Sequence, residues 1–494
     1  MGPTILTLDI GTTAVKVSQY TTGLKPLACI VVEYPLDSQG VRVTAPVRRY
    51  LDAIAGGITR LPQRESIAAV GITTQGETLI PVDQHGSPLC DAIVWLDSRA
   101  GKQAAALREK IEVQRFYETT GLPDIGDALP LAKLQWVKEE QPDLYRKTHH
   151  FLLLEDYLLF WLTGKFVTEK SLLTSTGWFD IQKDCYWEEA LTAAGIGREK
   201  LPEALECGTP VGKLLSRRAR ELSLPENITV VTGAMDQTAA ALAAGGLAPG
   251  IVTETTGTAL VMTACTDRPV FRSDHRVTVY RHAVAGQYLY LPIGNTAGMA
   301  LKWFKNEFCR ELPEEKAYAF LDEMAETIPC GCEGLTFLPY LSGCVDPDFL
   351  PNATGCFFGI RLSFTRAHFA RAVMEAIGYQ VADFLQMLEG LNCPAKSVVS
   401  LGGGAHSRVW MQMKADICER PFTVPDCTEA ASTGAALLAA WGSGFLKKEE
   451  KPALNSIKQF VPRFADFDAY RKQRERVKKL YRAVKPLYET EKES

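Results

Sequence analysis

Four short stretches carry side chains able to hold a phosphate, a hydroxyl or a proton. The first, "ILTLDIGTTAVKVSQY", places Asp9, Gly11, Thr12 and Thr13 between two apolar runs. Two readings are open. Asp, Gly and Thr suit a β-hairpin turn. They also suit a phosphate cradle: glycine lets backbone approach a ligand, turn N–H groups and hydroxyls bind phosphate oxygens, and Asp9 can hold a metal ion or its waters. In "ITVVTGAMDQTAAALAAG", a strand ends at Gly233 and Asp236 precedes an Ala-rich helix. Asp is a favoured helix N-cap. The carboxyl end of a strand is also where α/β proteins bind ligands. There Asp236 could accept the proton of a substrate hydroxyl as its oxygen attacks phosphorus, with Gln237 hydrogen-bonding beside it.

The third stretch, "AAVGITTQGETLIPVD", ends a strand in Gln75, Gly76, Glu77 and Thr78. This is either an ordinary β-turn or a polar wall for a hydroxyl-rich ligand. The fourth, "VVSLGGGAHSRVWMQMKADI", runs an apolar strand into Gly402, Gly403 and Gly404, with a helix starting near Ser407. A helix N-terminus attracts anions, and consecutive glycines let a flat ring lie against the backbone. The plainer alternative is a tight strand-to-helix turn capped by Ser407.

These stretches need rigid elements to hold them. Short apolar strands alternate with amphipathic helices along all 494 residues, which predicts α/β architecture in two domains. Residues 368–390 repeat apolar side chains at helical spacing. The small, glycine-rich "ALAAGGLAPG" (241–250) reads as the end of one domain and a hinge near 246–250. Immediately after it, "GIVTETTGTALVMTAC" forms a second apolar–polar–apolar hairpin with Thr255, Thr256, Gly257 and Thr258 at its tip. Two halves that each present a polar hairpin tip point to a duplicated fold. The predicted division is 1–246, 247–450 and a helical tail, 451–494, packing on the body.

Composition narrows the function. A formal net charge of −4 lacks the basic excess of a nucleic-acid binder. Thirteen scattered Cys, with one tight pair at Cys330 and Cys332, fit reduced thiols in a cytoplasmic protein. No signal peptide is expected, and "TAAALAAGGLAPGIV", the most apolar run, is broken by Gly and Pro, so no membrane span is expected. "GTPVGKL" fails the P-loop pattern, no G-x-G-x-x-G follows a strand, and the seven His show no ligand spacing. A nucleotide must be held in another way.

Taken together, these stretches resemble the FGGY family of carbohydrate kinases, within the actin-like ATPase superfamily. "PLAKLQWVKEE" (130–140) resembles one family signature, with Ala128 in place of its first residue, and "GCFFGIRLSFTRAHFARAVME" (355–375) resembles the other throughout. "DAIVWLDSRA", "FLPYLSGCVDP", "LTGKFVTEKSLLTSTGWFD" and "TEAASTGAALLAAWGSG" are similar to further family blocks. The resemblance implies two actin-like (ribonuclease H-like) lobes with an interlobe cleft, binding ATP and Mg2+ and phosphorylating a small sugar or polyol, and it points to a homodimer. It implies that Asp9 serves the metal site, and that Gly11, Thr12, Thr13 and Lys16 form a first phosphate loop. Thr258 would belong to a second. Gly298 and Lys302 would line the nucleotide cleft, and the turn of Gly403 and Gly404, with Arg408, would flank the adenosine. Asp236 would be the catalytic base. Gln75, Gly76, Glu77 and Gln237 would face the sugar.

The departures bear on substrate. Glycerol kinases carry Gln-Arg-Glu where Gln75-Gly76-Glu77 stands, and a Tyr at Ala128; both glycerol contacts are absent here. Xylulose kinases usually carry Gln-Met-His at that turn, so Glu77 departs from them too. The "GGGAHSRVW" and "AGMALKWF" segments are more similar to xylulose kinases. The expected acceptor is a ketopentose such as xylulose. Another pentulose or a polyol such as erythritol or glycerol is the alternative, and a non-metabolic actin-like ATPase is the rival class.

Overall fold

The computed structural model describes residues 2–246, 250–314, 316–346, 348–426, 429–448 and 456–490. The glycine-rich hinge segment therefore falls partly on 247–249, outside the described residues. The chain divides into two compact units. The first comprises Met1–Gly245, Thr278–Leu289 and Glu429–Ala453; the second comprises Gly246–Val277, Tyr290–Thr428 and Leu454–Ser494. Each carries its own sheet with helices packed on it, the α/β class expected from the alternation of strands and helices.

In the first unit, the strands β1 (Thr4–Ile10), β2 (Ala14–Thr21), β3 (Pro26–Glu33), β4 (Ile67–Thr74), β5 (Pro210–Lys213) and β6 (Thr229–Met235) form one sheet in the order β5-β6-β4-β1-β2-β3. The three central strands, β6, β4 and β1, run parallel; β2, β3 and β5 are antiparallel to their neighbours. Every residue of β1 is buried, as a parallel strand covered on both faces should be. One cover is the core of Leu8, Val17, Ile54, Ile72 and Leu158.

A second cover is the small-residue helix Ala430–Gly442, which packs so tightly that a Cβ on Gly71 of β4 would lie 2.3 Å from the Ala435 carbonyl oxygen. The same helix meets the helix Asp236–Ala243 at Gly434, where a Cβ would fall 2.0 Å from the Ala239 oxygen. The run of Ala and Gly in "AASTGAALLAAWG" is thus a packing requirement.

In the second unit, β7 (Ile251–Thr256), β8 (Leu260–Thr266), β9 (Ser397–Leu401), β10 (Phe422–Pro425) and β11 (Ser456–Phe460) are ordered β8-β7-β9-β10-β11. β7 and β8 form the antiparallel hairpin, and β7, β9 and β10 run parallel. The long helix Arg366–Gly390 is buried along most of its length. The expected helical tail, 451–494, is helical only in part: Ser456–Phe460 is the sheet strand β11, and Phe467–Thr490 forms a helix anchored by buried Tyr470, Leu480 and Tyr488. Among the described residues, no helix is long and apolar enough to cross a membrane.

Candidate active site

Sheet register brings three of the sequence stretches to one level of the first unit. Thr73 of β4 pairs with Asp9 of β1 on one side and with Ala234 of β6 on the other; one step on, Thr74 pairs with Ile10 and with Met235. All three strands run the same way, so Gly11–Thr13, Gln75–Glu77 and Asp236–Gln237 leave the sheet side by side at its carboxyl edge. The Gln75 N–H donates to the Ile10 carbonyl at 3.0 Å and the Thr73 hydroxyl to the Ala234 carbonyl at 2.7 Å, tying the three ends together.

Gly11–Thr13 is a hairpin tip closed by the Gly11 N–H on the Ala14 carbonyl at 3.0 Å. Trp95 Nε1 donates to Thr12 Oγ1 at 3.0 Å, and the Tyr34 hydroxyl donates to the Gly11 carbonyl. Asp9 is buried, opposite Lys16 across the hairpin. Ser432 donates to its Oδ2 at 3.2 Å, and Lys16 pairs with Glu429. Burial raises the Asp9 carboxyl above its ordinary range, while Lys16 and Ser432 draw it back. Glu429 and Ser432 lie more than 400 positions from the loop they support; the block "TEAASTGAALLAAWGSG" contains both, but nothing in it tells that they meet Asp9 and Lys16.

Asp236 opens its helix rather than capping it from outside: the preceding residue, Met235, holds the cap position, and Asp236 Oδ1 accepts the Gln237 N–H at 2.6 Å. The residue as a whole is half-buried, but desolvation pushes its carboxyl up to about 7, and Asp9 adds to the rise. A carboxyl that titrates near neutrality is suited to general base work.

The turn after β4 is strained. The Thr78 N–H donates to the Gly76 carbonyl at 2.8 Å across Glu77, whose φ is +62°. This is the rarer, positive-φ γ-turn, and a non-glycine residue held there is often held for function. Burial drives the Glu77 carboxyl up, opposed by Lys133 and aided by Asp236. The Lys133 ammonium is fully buried, donates to the Val94 carbonyl at 2.8 Å, and is driven down by the same loss of solvent. Tyr280 is buried where it senses both Glu77 and Asp236. The side chain of Gln75 is buried too, and neither its Oε1 nor its Nε2 has a partner among the described residues. An unpaired buried amide carries a desolvation cost that a hydroxylated ligand would offset. Lys133 lies inside the signature "PLAKLQWVKEE", which is the one signal that could have flagged it; Tyr280 had none.

The second unit holds a separate cavity of about 530 Å3. Thr258, Gly298, Lys302, Gly403 and Gly404 line it, together with Met299, Tyr318, Asp322 and Trp410, which sequence reasoning missed. Gly298 opens the helix Gly298–Phe308 against the β7–β8 tip: its N–H donates to the Gly257 carbonyl at 2.8 Å, and a Cβ there would lie 2.4 Å from that oxygen. Gly404 packs on Thr256, and Gly402 has φ +76°. Beneath the tip, the buried Lys414 ammonium donates to Glu254 at 2.8 Å and to Thr256 Oγ1 at 2.6 Å. Ser407 does cap the helix Arg408–Cys418, accepting the Trp410 N–H at 3.0 Å. Arg408 lies outside this lining; its guanidinium pairs with Glu326 at 3.0 Å.

Comparison with known proteins agrees with this anatomy. Residues 4–243 match the FGGY family of carbohydrate kinases, N-terminal domain, and residues 252–443 match its C-terminal domain. The chain is 29% identical to the xylulose kinase of Bacillus subtilis over 98% of its length and 97% of that protein's. It is 26% identical to the gluconokinase of the same organism, over 89% of its length and 88% of that protein's. Among solved structures, the xylulose kinase from Rhodospirillum rubrum superposes with a TM-score of 0.90 at 26% identity, covering 98% of this chain and all of that one.

Proposed function

The chain belongs to the FGGY family of carbohydrate kinases, and from that membership we propose that it transfers the γ-phosphate of ATP to a hydroxyl of a ketopentose, xylulose being the acceptor that fits best. The observation that carries this reading is the shared register of Asp9, Thr73 and Ala234, which sets a phosphate-type loop, a polar turn and a carboxyl of raised pKa side by side. Asp236 takes the proton of the acceptor hydroxyl as the oxygen attacks phosphorus. Gln75 and Glu77, with Gln237, hold the other hydroxyls. Gly11–Thr13 and Lys16 bind phosphate oxygens in the first unit. In the second unit, Thr258 serves the phosphates, and the backbone at Gly403–Gly404 lies along the adenosine.

The residues at Asp9 fit a magnesium ion brought in by the nucleotide. The donor is a hard carboxylate, its neighbour Asp236 adds negative charge, and magnesium is commonly held by one or two carboxylates plus substrate phosphates. Bound there, the ion would offset charge on the phosphates.

Two features support a neutral ketopentose. The unsubstituted turn at Gly76 has no room for the arginine of glycerol kinases, since even a Cβ would come within 2.7 Å of Ser175 Oγ. Glu77 and Asp236 set two carboxyls against the one Lys133 ammonium, which disfavours an acidic acceptor such as gluconate through like charge. A coupled assay of ADP release over pentuloses, hexuloses, polyols and gluconate tests the reading. The expected result is the highest kcat/KM on xylulose or a related pentulose; a clear preference for gluconate or a polyol overturns the substrate.

A further inference from the structure

The strand that delivers Asp236 does not run regularly into it. Along β6, Thr229, Val230 and Val231 pair with Ala69, Val70 and Gly71 of β4, but the next pairs are Ala234 with Thr73 and Met235 with Thr74. Three steps on β6 match two on β4, so one extra residue is inserted at Thr232–Gly233. Such a bulge is rare between parallel strands, leaves ladder groups unpaired and re-aims the side chains next to it. An insertion of one residue also exchanges the faces of every side chain beyond it. The bulge therefore decides which way Asp236 points.

The freed backbone groups are taken by buried side chains. Glu155, fully buried on the helix Leu154–Thr163, accepts the Gly233 N–H on Oε1 at 2.8 Å. Ser171, also fully buried, accepts the Met235 N–H on its hydroxyl oxygen at 3.1 Å. The Ser171 hydroxyl in turn donates to Glu169 Oε1 at 2.9 Å, and the Cys207 thiol donates to Glu169 Oε2 at 2.7 Å. Gly233 itself admits no side chain, because a Cβ would fall 1.4 Å from the Ile72 carbonyl oxygen. Glu155 Oε2 has no partner among the described residues, and burial together with the nearby Glu169 raises the Glu155 carboxyl well above its ordinary range. A neutral acid is the form that fits such a place.

From this geometry we infer that Glu155 and Ser171 are positioning residues for phosphoryl transfer: they clamp the β6 bulge and so aim the Asp236 carboxylate at the acceptor. The inference rests on the reading of Asp236 as the base. Glu155 acts as a hydrogen-bond acceptor for backbone rather than as a charge, so glutamine at that position keeps the clamp and alanine opens it.

Steady-state kinetics on the full chain, with ATP and the acceptor of highest kcat/KM, test this, with folded protein quantified by thermal melting. Glu155→Ala and Ser171→Ala should each lower kcat per folded molecule about tenfold to a hundredfold, as small misplacements of a reacting group do, with both KM values within about twofold. Glu155→Gln should stay within about threefold of the parent, because it restores an acceptor for the Gly233 N–H. A merely structural role would lower the melting temperature and leave kcat per folded molecule unchanged; that result, or a Glu155→Gln variant no better than Glu155→Ala, overturns the inference. Where Glu155→Ala does not fold, Ser171→Ala decides alone. Asp236→Asn separates the two layers. If it turns over like the parent, the base assignment has failed and the clamp's purpose with it. If it is inactive while Glu155→Ala and Ser171→Ala are normal, the clamp alone has failed.

Discussion

Gly76 and Ser175 are packed so closely that a Cβ on the glycine would lie 2.7 Å from the serine Oγ, and Ser175 is itself fully buried with its hydroxyl donated to the Leu172 carbonyl at 3.0 Å. Adding a methyl group at Gly76 therefore forces the buried Ser175 side chain, or the turn itself, to shift. Gly76→Ala should raise the acceptor KM by about tenfold while the ATP KM stays close to the parent's, since pocket contacts of this size are worth about 1–3 kcal/mol or roughly that factor. Ser175→Ala in the same chain removes the obstructing oxygen and should recover most of the loss. Equal effects on the two substrates would place the turn away from the acceptor.

On the proposed reading of Asp236 as the base, its desolvated carboxyl sets a stability cost against its chemistry. Asp236→Asn should cut kcat by about a hundredfold or more while leaving ATP binding intact, as loss of a general base does. In the parent, kcat/KM for the acceptor should fall as pH drops through about 7, because the carboxyl must be ionised to accept a proton. Its stability effect has the opposite dependence. A carboxyl whose folded pKa is raised from 3.8 to about 7 costs nothing below its unfolded pKa, and progressively more as pH rises between the two. The melting temperature of Asp236→Asn should accordingly exceed the parent's by a margin that grows from about pH 4 to about pH 7 and then levels. A margin independent of pH would show that the carboxyl is not desolvated.

Glu77 holds left-handed backbone at φ +62° that glycine would adopt freely. Glu77→Gly should raise stability by roughly 1 kcal/mol through relief of that strain and weaken acceptor binding, with ATP kinetics little changed. Glu77→His keeps the strain, exchanges the charge facing Lys133, and should reorder preference among ketopentoses and polyols. An unchanged acceptor profile in both variants would remove Glu77 from the sugar site.

Gly298 is the counterpart test for the second unit. A Cβ there would lie 2.4 Å from the Gly257 carbonyl oxygen, which accepts the Gly298 N–H. Gly298→Ala must separate the helix Gly298–Phe308 from the hairpin tip that carries Thr258. The ATP KM should rise by about tenfold or more, with little change in acceptor KM, because a shifted backbone loses its ligand contacts. Isothermal titration with ADP checks the same loss without turnover; unaltered ADP affinity would show that the cavity does not hold the nucleotide.

The strands and helices that carry Asp9, Gln75, Asp236 and Gly402–Gly404 were legible in the chain, because each motif sits where an apolar run ends in glycine or a small polar residue, and such local punctuation survives without tertiary context. The family signatures were legible for the same reason: they are contiguous. What the chain could not declare is anything that depends on distant segments meeting. The helix Ala430–Gly442 returns to the first unit, so that Ser432 bonds Asp9 and Glu429 pairs with Lys16. Lys133, Tyr280, Glu155 and Ser171 acquire their importance only once the sheet's neighbours are known. The bulge at Thr232–Gly233 is a relation between two strands, absent from either one alone. Local pattern determined which residues could do chemistry, since side-chain type and turn propensity are properties of a short stretch. Packing decided which of them face one another and with what proton affinity, because desolvation and register belong only to the folded whole.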